Sequence, residues 1–276
     1  MNHIEIRALR TKVRIEAPDD ALVLLRRSLP ELLAAGRSAP RTGEPEIVWE
    51  PLRDGRWMVS LGEGGSIART DTATALAETI SEINRLAARS VTDDHAVLHA
   101  GSFAVDAWAV AVTGPSGAGK STLVAAATLA GHRYLGDEVC AVDPSNLHVL
   151  PFPRPIGLRT GGAAAIGVDI PDDPHDPYRE VYPWQPAAGD PGPPSPLALI
   201  AFVERRPGPV EIESIRPSHA LAKLTELSLA ADGIEREAFR RLDRLVRAVP
   251  MVTIAHDDST SAVDALASHV RRLGAS

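Results

Sequence analysis

Gly114-Pro115-Ser116-Gly117-Ala118-Gly119-Lys120-Ser121-Thr122 lies between two apolar runs, one of strand length at 107–113 and one of helical length at 120–130. A strand that delivers glycines into a helix N-terminus makes a site for anions. Glycines let the backbone N–H groups turn inward and approach a phosphate without a Cβ in the way. The helix that follows adds partial positive charge at the same point. The spacing Gly-x₄-Gly-Lys-Ser is that of a P-loop: Lys120 is expected to reach the outer phosphates, and the Ser121 hydroxyl to ligate Mg²⁺. Residues 114–122 are therefore the expected nucleotide contacts, with ATP and Mg²⁺ as cofactors. A transporter ATPase would use the same loop. It would also need an apolar run ending in a carboxylate and a Leu-Ser-Gly-Gly-type signature downstream, and neither is present.

Downstream of the loop, 120–130 holds mostly Ala, Leu, Val and Thr and reads as a helix buried all round, stopped at Gly131. Short strands are expected near 132–136 and 138–143. Between them lies Asp137-Glu138, seventeen residues after Lys120. Phosphoryl transfer needs Mg²⁺ to neutralise charge and a group to orient or deprotonate the attacking hydroxyl, and two adjacent carboxylates could divide those tasks. Upstream, His99 falls on an apolar stretch at 96–105, read as the strand before the P-loop strand. His132, just past the helix where a cation suits the helix C-terminus, reads as structural. The single cysteine, Cys140, sits on an apolar strand and reads as core.

Three segments carry a family resemblance: His99-Ala-Gly-Ser-Phe-Ala-Val-Asp106, then Val112 to Ser121, then Gly131-His-Arg-Tyr-Leu-Gly-Asp137-Glu138. Together they resemble the catalytic domain of HPr kinase/phosphorylase over roughly residues 96–143. The resemblance implies an α/β fold with a P-loop kinase core of the HPr kinase/phosphoenolpyruvate carboxykinase type. It also implies that Asp137 is the base facing the acceptor hydroxyl, that His99 lies near the transferring phosphate, and that Lys120 sits on the β- and γ-phosphates. Ser121 and Glu138 become the metal ligands, Glu138 replacing the family's second Asp. Thr122 stands where the family usually has Glu. The family's later Glu-Ile-Arg-Gly signature gives way to Pro151-Phe-Pro-Arg154-Pro-Ile-Gly-Leu-Arg159. Prolines hold that segment extended, and Arg154 and Arg159 suit bidentate contacts to phosphate or to an acidic substrate. The arrangement is similar to HPr-kinase-related proteins found with ribosomal peptide biosynthesis, including lasso-peptide precursor kinases, which implies a peptide or small-protein hydroxyl as acceptor. A homo-oligomer is left open.

The first ninety residues read as a small α+β region. Strands are expected at 3–8 and 11–16, and a helix from Asp19 or Asp20 with Leu22, Leu25 and Leu29 on one face. Pro30 is a point where a second short helix could start. Runs at 46–50 and 56–61 alternate around Asp54-Gly55 as a hairpin. A helix at 73–89 carries Leu76, Ile80, Ile83 and Ala87 and is capped by Asp71 or Thr72. The expected division is 1–92 and 93–276. Residues 169–196, rich in Pro and Asp, read as a long loop in which Tyr182 and Trp184 either dock a peptide or pack the loop down. His175 among Asp172, Asp173 and Asp176 reads as a solvated loop. Strands and helices are then expected to 273.

The chain has 276 residues, a net charge of −7 and three lysines, Lys12, Lys120 and Lys223. That charge argues against a nucleic-acid partner, and no apolar run approaches the ~20 residues a bilayer span needs. One cysteine forms no internal disulfide, and together with the charged N-terminus it points to the cytoplasm. Two other readings stand beside a peptide kinase: a small-molecule hydroxyl kinase on the same scaffold, and an ATP-binding sensor that performs no transfer.

Overall fold

The computed structural model describes residues 2–29, 46–62, 65–170, 182–184, 192–228 and 236–274. The N-terminal part is a five-stranded sheet in the order β1(Asn2–Ala8), β2(Thr11–Ala17), β3(Glu46–Pro51), β4(Trp57–Leu61), β5(Ser66–Thr70). Helices α1(Asp19–Ser28) and α2(Thr72–Arg89) pack on it. The first two strands pair as a hairpin in full register, from Asn2 opposite Ala17 to Ala8 opposite Thr11. Their alternating apolar residues Ile4, Ile6, Val13 and Ile15 all point inward, as a sheet with one solvated face requires. Asp71 caps α2 by accepting the Thr74 N–H at 2.8 Å. Trp49 donates its indole N–H to the Thr79 hydroxyl at 2.9 Å, fixing the angle of α2 on the sheet. The strand β5 has no counterpart among the sequence expectations, because its short polar run carries no strong alternation.

The second sheet has nine strands: β6(Ala96–Leu98), β7(Ala100–Val105), β8(Trp108–Thr113), β9(Arg133–Gly136), β10(Cys140–Val142), β11(His148–Leu150), β14(Ser195–Arg205), β15(Glu211–Ser214) and β16(Met251–His256). A separate small pair joins β12(Ile156–Leu158) to β13(Tyr182–Trp184). At the centre, β8, β14 and β16 run parallel. Val110 and Val112 of β8 face one core with α3(Lys120–Leu129) and α7(Ser259–Gly274), while Ala109 and Ala111 face another with α5(Pro217–Glu226) and α6(Arg236–Ala248). Helices on both faces explain why β8 is apolar at every position from 109 to 112 instead of alternating. The one remaining helix among the described residues, α4(Thr160–Ala165), follows β12.

Three expectations need correction. The stretch 96–105 is two strands, not one: β6 pairs with β10 and β7 with β8 and β9, and the chain changes partners at His99. Helix α3 is not buried all round, since Leu129, its last residue, is exposed. Within 169–196, Tyr182, Pro183 and Trp184 form a strand opposite Leu158, Gly157 and Ile156; both aromatic side chains are half-buried against the cores. His132 is half-buried, and burial, with Arg271 nearby, pushes its pKa down, which fits a structural residue. The expectations for Pro30 and the His175 group lie outside the described residues.

The apolar core under α1 and α2 does not end with the N-terminal sheet. It runs on into Val97, Val139, Ala141 and Phe152. Arg10 also pairs with Asp94 at 2.7 Å. The first helical layer is thus packed against the strands that carry the acidic turn.

Candidate active site

The loop after β8 is built by three glycines with positive φ, Gly114 at 152°, Gly117 at 81° and Gly119 at 97°. At Gly114 a side chain is also excluded by space, since a Cβ there would lie 3.0 Å from the Val203 carbonyl oxygen of the neighbouring strand. Gly119 is the N-cap of α3 and its carbonyl accepts the Leu123 N–H at 2.9 Å, so the helix begins directly under the loop. Lys120 is 6% exposed. Its ammonium donates to the carbonyls of Gly114 at 2.9 Å and Pro115 at 3.2 Å. Burial pushes the Lys120 pKa down, and the charges of Glu138 and Asp137 act against that shift.

The acidic pair is carried beside this loop by β9. Gly136 is opposite Ser102 of β7, so Asp137 emerges over Gly101. A Cβ on Gly101 would come within 3.1 Å of Asp137 Oδ1 and 2.5 Å of Val124 Cγ2 on α3. Only a glycine leaves room for the carboxylate against the helix. Asp137 is 0% exposed and neither carboxylate oxygen has a hydrogen-bond partner. Burial raises its pKa above the ordinary carboxyl range and the neighbouring Glu138 raises it further; Arg154, the Ser121 hydroxyl and the Glu138 N–H oppose the rise. The Ser121 hydroxyl is near enough to act on that charge without forming a well-directed hydrogen bond.

Glu138 adopts φ 69°, the region that disfavours a residue with a Cβ. The Val139 N–H bonds the Asp137 carbonyl at 2.9 Å across it, closing a three-residue turn of the strained kind. Strain of about 1–3 kcal/mol at such a residue persists where surrounding structure enforces it, and it clusters at functional sites. The turn points Asp137 inward and Glu138 towards His99, whose Nδ1 is 3.2 Å from Glu138 Oε2. The backbone of His99 is held on both sides: its N–H donates to Leu227 O at 2.9 Å and its carbonyl accepts the Thr113 hydroxyl at 2.9 Å. His99 thus sits at a strand break beside the base of the glycine loop.

Arg154 is 7% exposed and its Nε has no hydrogen-bond partner. The Tyr134 hydroxyl donates to its carbonyl at 2.6 Å and fixes the extended segment. Arg159 is exposed and forms the N-cap of α4. Thr122 packs against Gly162 of that helix, where a Cβ would lie 2.6 Å from its hydroxyl oxygen. A single cleft of about 660 Å³ gathers Ser116, Lys120, Ser121 and His99, and Glu138, Arg154 and Arg159 line it too. Asp137, wholly buried, is not among the residues that line this cleft, nor are Gly114, Pro115 and Ala118; the other residues singled out as site candidates line it. Sequence reasoning missed Gly101, whose role depends on what lies across the sheet. It also missed Arg205 at the end of β14 and the outer face of α2, both of which line the cleft.

The residues suit a magnesium–nucleotide complex. A glycine-lined helix N-terminus offers backbone donors to phosphate. The unpartnered Arg154 Nε and Asp137 carboxylate are a cationic and an anionic group with bonding capacity unspent. Among the described residues no three His, Cys, Asp or Glu side chains converge as a metal site. A hard divalent cation here would take phosphate oxygens as partners in addition to Ser121 and Glu138.

No protein-family model matches the chain, and no curated protein matches it. Among solved structures it is similar to the Hpr(Ser) kinase/phosphatase from Coxiella burnetii, at 15% identity over 64% of this chain and 88% of that one, with a TM-score of 0.31. A likeness that loose carries no functional weight, and the chemistry rests on this chain's own residues. They define a mixed α/β protein in which a strand–glycine loop–helix unit faces a buried acid. Among the described residues no helix is long and apolar enough to cross a membrane.

Proposed function

We propose that this chain is a kinase of the HPr kinase type that moves the γ-phosphate of ATP to a Ser or Thr hydroxyl of a peptide or small protein. One observation carries the reading: Asp137, wholly buried with both oxygens unpartnered, lies next to Ser121 and within electrostatic reach of Lys120. Keeping a carboxylate there without partners is costly unless an incoming group satisfies it. Its raised pKa brings it closer to working pH, which suits a general base.

In this mechanism the loop amides and Lys120 bind the phosphates, and Arg154 with Arg159 neutralises charge on the transferring group or the acceptor. Ser121 and Glu138 would hold Mg²⁺, which when bound neutralises phosphate charge. His99 orients Glu138. The acceptor oxygen forms a bond to the γ-phosphorus while the bond from that phosphorus to the β,γ-bridging oxygen breaks. Asp137 takes the hydroxyl proton, and ADP leaves. Transfer of this kind is almost wholly positioning and electrostatics, which is what the cleft offers.

The test is direct. Purified protein with ATP, Mg²⁺ and Ser- or Thr-containing peptides should give a product about 80 Da heavier, one phosphate. Lys120→Ala should weaken nucleotide binding by about 100-fold, the worth of a buried charge-assisted contact. Absence of any phosphoryl transfer together with unchanged nucleotide affinity in Lys120→Ala would overturn the reading.

A further inference from the structure

Helix α2 has two faces with different tasks. One face, with Leu76, Thr79, Ile83 and Ala87, is buried on the N-terminal sheet. The opposite face is not idle surface. Thr74, Ala77 and Ser81 are exposed, Asn84 is half-buried, and all four line the cleft shared by the glycine loop and Glu138. Their spacing of three, four and three residues places them on one stripe of the helix. These four side chains are uncharged and three of them carry a hydroxyl or an amide; Leu76 and Ile80 of the same helix and its N-cap Asp71 line the cleft as well.

From this we infer that α2 is the docking wall for the acceptor, and that the acceptor is a peptide segment lying extended along it. The inference rests on the kinase reading and names the substrate class of that same site. From Thr74 to Asn84 the stripe is ~15 Å long at 1.5 Å per residue, which matches four to five residues of extended chain at about 3.3 Å each. A compact metabolite would not use that length. Small side chains let a peptide backbone come close, and Thr74, Ser81 and Asn84 offer donors and acceptors to its N–H and C=O groups. A second observation points to a ligand in the same cleft: Arg154 is nine-tenths buried, lines the cleft, and leaves Nε without a partner. The stripe shares the cleft with His99 and Glu138, so a hydroxyl on the bound segment is brought to the Glu138 side of the acidic turn, with Asp137 buried directly behind it. Two prolines and a glycine, Pro155, Gly157 and Pro183, also line it and carry no long side chain to compete for the space.

The test uses the full chain, ATP, Mg²⁺ and a library of eleven-residue peptides with a central Ser or Thr, with free L-serine in parallel. Ala77→Trp and Ser81→Trp place bulk on an exposed helix face, so both should fold. Each should raise the KM for the best peptide at least tenfold while the affinity for a fluorescent ATP analogue stays within twofold. Glu78→Trp, on an exposed position of the same helix outside the cleft, should keep the wild-type KM. A photo-crosslinking residue at position 77 should label the peptide and not the nucleotide. If the wild type phosphorylates peptides but neither Trp variant changes their KM, the α2 wall is wrong and the kinase reading stands. Should free serine be phosphorylated and the peptides not, the substrate class is overturned while the kinase survives. Transfer to no acceptor of either kind overturns both.

Discussion

Replacing Asp137 with Asn separates what the buried acid does for transfer from what it does to the fold. The amide nearly preserves shape, so the change removes a charge and little else. A positioned general base is worth 10²–10⁴ in rate, so transfer should fall by that factor, ~2.7–5.4 kcal/mol at about 1.4 kcal/mol per tenfold. Stability should move the other way. The folded-state pKa of Asp137 is raised above its ordinary value of 3.8, chiefly by burial. Between that value and the folded one, the native state holds a proton that the unfolded state has released. Wild-type stability therefore falls as pH rises through this window, by about 1.4 kcal/mol for each pH unit the window spans. Asn does not titrate. Metal- and nucleotide-free Asp137→Asn should match the wild type below pH 4 and exceed it at pH 8, by ~2–4 °C in Tm for each kcal/mol in a chain of this size. Thermal denaturation from pH 4 to 8, read beside phosphoryl transfer, measures both effects. A variant that keeps transfer within tenfold, or that melts below the wild type at pH 8, would refute the assignment of an unsatisfied, charge-bearing base.

Gly101→Ala should cost about 1–3 kcal/mol, because its Cβ would meet Val124 at 2.5 Å in a closed core, and should also depress transfer by displacing Asp137; urea melts and transfer assays check both. Arg154→Gln removes a cation that holds the Asp137 pKa down, so the limb of the pH–rate profile that rises with pH should move to higher pH, with kcat/KM lower by about 10–100-fold. An unmoved limb would show that Arg154 does not act on the base. Cys140 is fully buried and its thiol is pushed up to about 12, so the native protein should resist iodoacetamide at pH 8 and react only when unfolded. Rapid native alkylation would show that the β6–β10 core opens.

Much of the site could be read from local pattern. The glycine loop, Lys120 and Ser121 act through the backbone geometry of nine consecutive residues, so their arrangement is written in their order. The hairpin around Asp54-Gly55 and the Asp71 cap of α2 are equally local, and both form. Where the expectations failed, the cause was distant. A continuous apolar run at 96–105 cannot announce that its two halves pair with different strands. The partners that divide it at His99, β10 on one side and β8 with β9 on the other, lie elsewhere in the chain.

By itself the amino-acid order determined that a strand runs into a glycine loop and a helix, and that a pair of acids comes after them at a distance allowing return. It did so because turns, caps and apolar period depend on near neighbours. Tertiary structure alone decided that Asp137 is sealed without partners over Gly101, that Glu138 turns to His99, and that α2 from the first ninety residues walls the same cleft. Those outcomes depend on packing between segments far apart in the chain, where burial sets the carboxyl's charge state and sheet pairing sets which faces meet.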